Sequence, residues 1–268
     1  MDSLPSGICY RHWSVDNAKA CVLLAHGLAE HTGRYAHVTA HFNERGVAVV
    51  GPDHVGHGAS PGIRVFLRTF SEYLEPMLAL RGLIEEWYPD LPVFLFGHSM
   101  GGLISAHLLL ESQAVFRGAM LSGPAFHAVD PAPAPLLWIG RLLKKVLPKL
   151  GMVSLDANGV SRDPAVVADY LADPLVYNGK ITTGLGIEML DAMEVAIARA
   201  GEIKLPTYIA HGDADVMAGP EGSQAFFDAL GADDKTLDFW PGLYHEILNE
   251  PESEEVIARY VSWLERHL

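Results

Sequence analysis

Apolar residues fall along this chain in short unbroken runs, each followed by a longer segment in which they recur every three or four positions. Ala20 to Ala25, Val47 to Val50, Val93 to Phe96, Gly118 to Leu121 and Thr207 to Ala210 are the runs, and Lys235 to Trp240, more mixed in character, predicts a further strand. Runs of that length without alternation suit strands buried on both faces. Gly7 to Trp13 alternates more weakly and predicts an opening strand. Helical periodicity predicts helices over Arg34–Arg45, Ser71–Tyr88, from Leu103 to about Ser112, Pro220–Leu230, and a last one carrying Val256, Ile257, Tyr260, Val261 and Leu264. Gly46 stops the first of these. Strands alternating with helices imply an α/β fold, a mostly parallel central sheet with helices on both faces. The alternation lapses from about Phe126 to Gly201, a stretch that opens with Pro131, Pro133 and Pro135 and turns helical in pattern. The expected organisation is a core in two parts, residues 1–126 and 201–268, with an inserted helical cap over 127–200.

Between the run at 93–96 and its helix stands Gly97-His98-Ser99-Met100-Gly101-Gly102. A strand turning at once into a helix through G-x-S-x-G is a nucleophile elbow. The turn forces the serine backbone into a strained conformation that lifts its hydroxyl clear, and side chains two residues either side would collide. A serine hydroxyl needs a base, and the base an orienting acid. On this scaffold they follow in the order Ser, acid, His, each just past a strand end. His211-Gly212-Asp213-Ala214-Asp215 follows the strand at 207–210, and Tyr244-His245 follows the strand at 235–240. Ser99, Asp215 and His245 are therefore the candidate triad. Asp213 is the rival acid, although a carboxylate two residues past a strand more often fastens the turn. The oxyanion donors would be the backbone N–H groups of Met100 and of Leu28 in the loop after the first long strand, and both side chains would face substrate.

Totals narrow the chemistry. A formal charge of −14 over 268 residues argues against a nucleic-acid partner. Cys9 and Cys21 form no disulfide framework, so free thiols are expected. The start, Met1-Asp2-Ser3-Leu4-Pro5, reads as no secretory signal, and no apolar run approaches ~18 residues. A cytoplasmic enzyme without cofactor or metal is expected. His37 and His41 have i, i+4 spacing, but Val38 breaks the H-E-x-x-H pattern. Asp53 and His54 are read as fixing their glycine-rich loop.

One further stretch carries information. Leu136, Ile139, Leu143, Val146, Leu147 and Leu150 share one helical face, and Arg141, Lys144, Lys145 and Lys149 the other, with no acid between Asp130 and Asp156. A basic amphipathic helix reads as a membrane-surface element, or else as a cap helix whose apolar face packs on the core.

These residues resemble the monoacylglycerol lipases of the α/β-hydrolase fold. The likeness lies in His26-Gly27-Leu28-Ala29-Glu30-His31-Thr32-Gly33-Arg34-Tyr35, Asp53-His54-Val55-Gly56-His57-Gly58, the elbow, Asp173-Pro174-Leu175, the segment 211–215 and Tyr244-His245. It implies a serine esterase that frees a fatty acid from monoacylglycerol, with an apolar cap enclosing the acyl chain and possible cap contact at a membrane surface. It implies Asp215 as the acid, and places Glu30 and Arg34 at the glycerol end. Mammalian members carry a histidine three residues past the catalytic one, where this chain has Leu248. Alternatives are a lysophospholipase or short-chain carboxylesterase on the same scaffold, or a non-catalytic small-molecule receptor.

Overall fold

The computed structural model describes residues 1–129 and 133–268. Strands β1 (Asp2–Ser3), β2 (Cys9–Trp13), β3 (Ala20–Ala25), β4 (Val47–Pro52), β5 (Val93–His98) and β6 (Gly118–Ser122) come first, with helices α1 (Ala36–Glu44), α2 (Leu74–Trp87) and α3 (Met100–Ser112) among them. An excursion follows: α4 (Ala134–Val146), β7 (Gly151–Ser154), α5 (Pro164–Ala172), β8 (Lys180–Thr182) and α6 (Thr183–Arg199). The chain then closes with β9 (Thr207–Gly212), α7 (Pro220–Ala229), β10 (Lys235–Trp240) and α8 (Ser253–Glu265). One eight-stranded sheet has the order β1-β2-β4-β3-β5-β6-β9-β10. Within this sheet β1 with β2 and β2 with β4 pair antiparallel, and the pairs from β4 through β10 are parallel. The two-residue β1 escaped the sequence pattern, being too short to show a period.

Successive residues of a strand enter opposite layers, and the core divides accordingly. Val22, Leu24, Val47, Val49, Phe94 and Phe96 pack with Phe42 of α1 and with Tyr260, Trp263 and Leu264 of α8. Leu23, Ala25, Ala48, Val50 and Leu95 pack with Met77 and Leu80 of α2, Leu103 and Leu108 of α3 and Phe226 of α7. Each such side chain contributes ~1.5–3 kcal/mol by leaving water. Because both faces are covered, β3 to β6 and β9 are buried at every position, whereas the edge strand β10 is only partly buried and carries Lys235, Thr236 and Asp238.

Helix α6 has two allegiances. Leu185, Met189, Ala192 and Ala196 join the core layer of α2 and α3. Gly186, Ile187, Leu190 and Met193 line a cavity above Ser99. Thr182 caps α6 by accepting from Leu185 N at 3.3 Å and donates to Val65 O at 2.6 Å, which anchors this end of the excursion to the core. Val65 is buried with φ 45°, a conformation β-branched residues avoid.

The helix at 134–146 differs from its pattern in length and in what its cations meet. It ends four residues earlier than the apolar stripe, so Leu147 and Leu150 lie beyond it. Two of its cations reach toward α6, while Lys145 stays exposed. Arg141 donates to Asp191 of α6 at 2.7 Å, and Lys144 pairs with Glu188, which also takes the N–H of Phe70 at 2.6 Å. Much of its apolar side is open: Trp138 is 63% exposed and Val146 71%. The acids that attract the cations lie some fifty positions downstream, outside any local periodicity.

Candidate active site

The elbow is steric in origin. Ser99 sits at φ 53°, ψ −119°. A Cβ on Gly97 would stand 2.4 Å from Gly101 O, one on Gly101 2.0 Å from Ala25 O, and one on Gly102 2.6 Å from the Pro124 ring. Glycine at 97 and 101 is thus what allows α3 to leave β5 so sharply. Ser99 N donates to Ser122 O at 2.9 Å and Ser99 O accepts from Ala125 N at 3.0 Å, so the neighbouring strand end holds the strained residue.

From Ser99 a hydrogen-bonded line runs inward. Its Oγ lies 2.8 Å from His245 Nε2, and His245 Nδ1 lies 2.6 Å from Asp215 Oδ2. The carboxylate only accepts, so Nδ1 carries the proton and the Nε2 lone pair faces the serine hydroxyl. Asp215 is held on every side. Its Oδ1 accepts from Met217 N and Ala218 N at 2.7 and 3.0 Å, and its Oδ2 from His211 Nε2 at 3.0 Å. His211 is oriented by Ser223, whose hydroxyl lies 2.6 Å from Nδ1. Burial alone would raise the Asp215 pKa, but the His245 charge and the histidine hydrogen bonds override it and hold it well below the carboxylate range. Burial alone would lower that of His245, but the Asp215 charge and hydrogen bond, then Glu246 and Glu30, leave it above its ordinary value. The rival, Asp213, is exposed and takes the Gly242 N–H at 2.6 Å, fastening the turn.

The loop after β3 supplies the opposite wall. His54 N donates to His26 Nε2 at 2.9 Å, so Nδ1–H donates to Gly27 O at 2.7 Å. Gly27 N donates to Glu30 Oε1 at 2.6 Å. Ala29, at φ 67°, turns its carbonyl to Tyr177 N at 2.8 Å, and His31 pairs with Asp173 at 2.8 Å. Leu28 lines the cavity. Met100 does not: its side chain is fully buried in the core beside α3, which corrects the expectation that it faces substrate. Its N–H remains at the first position of α3, where a helix offers no internal acceptor.

Glu30 lines the cavity, whereas Arg34 stands behind it. Arg34 Nη1 donates to Glu30 Oε2 at 2.7 Å, and both Nη atoms engage Glu246 at 2.6 and 2.7 Å. Glu246 had no separate signal in the sequence beyond adjoining His245. Leu248 is buried in the core layer of α8, away from the cavity. Asp53 accepts from Arg11, Thr32 and Ala59 and organises its own loop. His37 donates to Leu248 O at 2.9 Å and is not drawn toward His41 as a metal ligand. Cys9 and Cys21 are free thiols, and burial pushes that of Cys21 up to about 12. The cavity measures about 330 Å³ and is mostly apolar, with Leu137, Tyr170, Ile187, Met189, Leu190 and Met193 around Ser99 and His245.

Comparison with known families now decides the kinship. The model of the family described as serine aminopeptidase, S33, matches residues 16–252. The chain belongs to that family of α/β-hydrolases. Among its relatives, the monoacylglycerol lipase of Mycolicibacterium smegmatis is 39% identical over 97% of this chain and 94% of that protein. The monoglyceride lipase of Mus musculus is 32% identical over 96% and 86%. The crystal structure of the Paleococcus ferrophilus monoacylglycerol lipase superposes with a TM-score of 0.89 at 32% identity, covering 97% of this chain and 99% of that one. Among the described residues no helix is long and apolar enough to cross a membrane.

Proposed function

We propose that the protein hydrolyses monoacylglycerol to fatty acid and glycerol through an acyl-enzyme on Ser99. His245 takes the Ser99 proton as Oγ attacks the ester carbonyl, and Asp215 stabilises the resulting imidazolium. The oxyanion is received by the backbone N–H groups of Leu28 and Met100. His245 returns the proton to the glycerol oxygen, the C–O bond breaks, and glycerol departs. Water, deprotonated by His245, then attacks the acyl carbon and frees the fatty acid and Ser99. The acyl chain occupies the apolar cavity under α4 and α6. Glu30 stands at the polar end, and Arg34 acts there through the carboxylates it holds rather than by touching glycerol.

The observation that carries this reading is the Ser99–His245–Asp215 line opening onto an apolar cavity. The kinship supports the choice of substrate. Wild-type protein should hydrolyse monoacylglycerol and bind a fluorophosphonate covalently, and Ser99→Ala should lose both. A rate panel over monoacylglycerol, lysophospholipid and p-nitrophenyl esters of graded length separates the lipase from a phospholipase or short-chain esterase. A folded wild type that neither labels nor turns over would favour the receptor.

The open side of α4 extends the reading to where substrate is met. Trp138, Leu142 and Val146 of α4 and Met152 and Val153 of β7 are exposed apolar side chains. Such a surface suits transient seating on lipid. Co-sedimentation with anionic vesicles should fall for Trp138→Ser/Val146→Ser, and equal binding would refute it.

A further inference from the structure

Beside the reacting groups lies a buried cluster in which Glu246 has as yet no role: two carboxylates sharing one guanidinium. Glu246 and Glu30 are 4% and 3% exposed. Arg34 Nη1 touches both, at 2.6 and 2.7 Å, and Nη2 completes a fork on Glu246 at 2.7 Å. Every carboxylate oxygen has a further or shared partner. Glu30 Oε1 accepts from Gly27 N and the Tyr35 hydroxyl, both at 2.6 Å, and Glu246 Oε2 also accepts from Asn249 at 2.8 Å. The guanidinium lies 4.7 Å from the centre of the Tyr170 ring on α5, which covers it.

The connectivity is what matters. Glu246 follows His245 directly, so its grip on Arg34 fixes the loop that carries the base. Glu30 grips the N–H of Gly27, the residue before Leu28. We propose that Glu246 is a positioning residue, setting the His245 loop and the Leu28 oxyanion loop against each other through the Arg34–Glu30 pair. The inference rests on the roles given above to His245 and Leu28.

Two physical points support it. A planar fork fixes direction as well as distance, which a lysine in its place would not. The cluster also carries one net negative charge in a dry site. The groups facing His245 are Asp215, with His211 behind it, His98 at 4.9 Å between ring centres, Glu30 and Glu246, with Arg34 behind them and Tyr170 above. Burial and the nearby His245 charge push His98 down to about 4, so it stays neutral and offers no counter-charge of its own. Burial would raise the Glu246 pKa, but the Arg34 charge and hydrogen bonds hold it below the usual range, and the anion persists.

The test compares E246Q with R34K on a soluble p-nitrophenyl ester. E246Q keeps the shape and removes the charge. It should lower kcat by roughly ten- to a hundredfold with little change in KM, and move the acid limb of the pH–rate profile down by about half to one unit. R34K keeps the net charge but loses the fork. It should lower kcat comparably and leave that limb in place. E30Q combined with E246Q should cost little more than the worse single variant, because both act through one guanidinium. Wild-type kcat in E246Q, a loss confined to KM, an unmoved acid limb, or additive losses in the double variant would each overturn the proposal. Should E246Q fail to fold, R34K and E30Q carry the test: wild-type kcat in R34K overturns it. Fluorophosphonate labelling of the wild type separates the parent reading. No labelling defeats that reading, while labelling with wild-type kinetics in E246Q defeats only this one.

Discussion

Gly186 offers a direct probe of the cavity. It lies in the first turns of α6 and lines the cavity, and a Cβ built on it meets nothing within 4 Å. A leucine there enters space that the acyl chain would otherwise fill. Each methylene kept out forfeits ~0.8 kcal/mol of transfer free energy. Four carbons displaced therefore cost about 3 kcal/mol, or roughly two hundredfold in kcat/KM at one decade per 1.36 kcal/mol. Esters too short to reach Gly186 should be unaffected. The helix itself should gain about 0.5–1 kcal/mol from loss of glycine, so stability will not fall. The assay is kcat/KM for butyrate, octanoate, laurate and palmitate esters on wild type and Gly186→Leu, with thermal melting alongside. The expected result is a laurate-to-butyrate ratio that collapses while the butyrate rate holds. A ratio within about twofold of the wild type, in a variant that melts normally, would refute the placement of the acyl chain.

Three further outcomes follow from the site. Asp215→Asn should cost on the order of 10⁴ in kcat by losing the His245 tautomer, whereas Asp213→Asn, which loosens only an exposed turn, should stay within a few-fold in the same ester assay; the reverse pattern would exchange their roles. Gly101→Ala places a methyl 2.0 Å from a backbone carbonyl of β3, so it should cost 3 kcal/mol or more by overpacking and lower the melting temperature far more than Gly186→Leu, as calorimetry would show. Acid should unfold the protein early. Burial, with neighbouring histidine charge, pushes His26 and His98 down to about 4, His57 to about 3 and His54 well below its ordinary value. Their unfolded forms take protons first, so the stability they confer is whole above about pH 6.5 and declines as pH falls, by ~1.4 kcal/mol per unit for each. His245, raised instead, gains stability as pH falls through its folded pKa, reaches its full contribution near pH 6.5 and adds nothing further below, so it offsets the loss only above that pH. Melting temperatures at pH 7.5 and 5.5 should differ by about 10 °C; equal values would contradict neutral buried imidazoles.

The sheet and the Ser99–His245–Asp215 alignment were legible for one shared reason. Strands buried on both faces leave unbroken apolar runs, and on this scaffold the reacting groups stand just past their ends. Ser99, Asp215 and His245 could thus be placed by counting from strand termini. What stayed hidden depended on direction rather than position. Amphipathic spacing at 136–150 separates two sides of a helix but does not say which one meets protein; Glu188 and Asp191 decide that, from α6. The side chain of Glu246 turns to a guanidinium 212 positions away, which no spacing encodes. Met100 looked equivalent to Leu28 because both supply backbone groups, yet the start of a packed helix turns its side chain into the core.

The route by which the chain leaves and re-enters the sheet has an evolutionary consequence. β6 and β9 lie side by side, with Ala119 opposite Thr207 and Ser122 opposite Ala210, although the whole excursion carrying α4 to α6 separates them in sequence. The start of that excursion is tied to the loop after β9, where Ala128 bridges Ala218. A segment that departs and returns at adjoining rungs can be lengthened, shortened or exchanged without altering a single strand register. Grafting such a cassette from one hydrolase to another should therefore transplant substrate preference while the nucleophile, base and acid keep their coordinates.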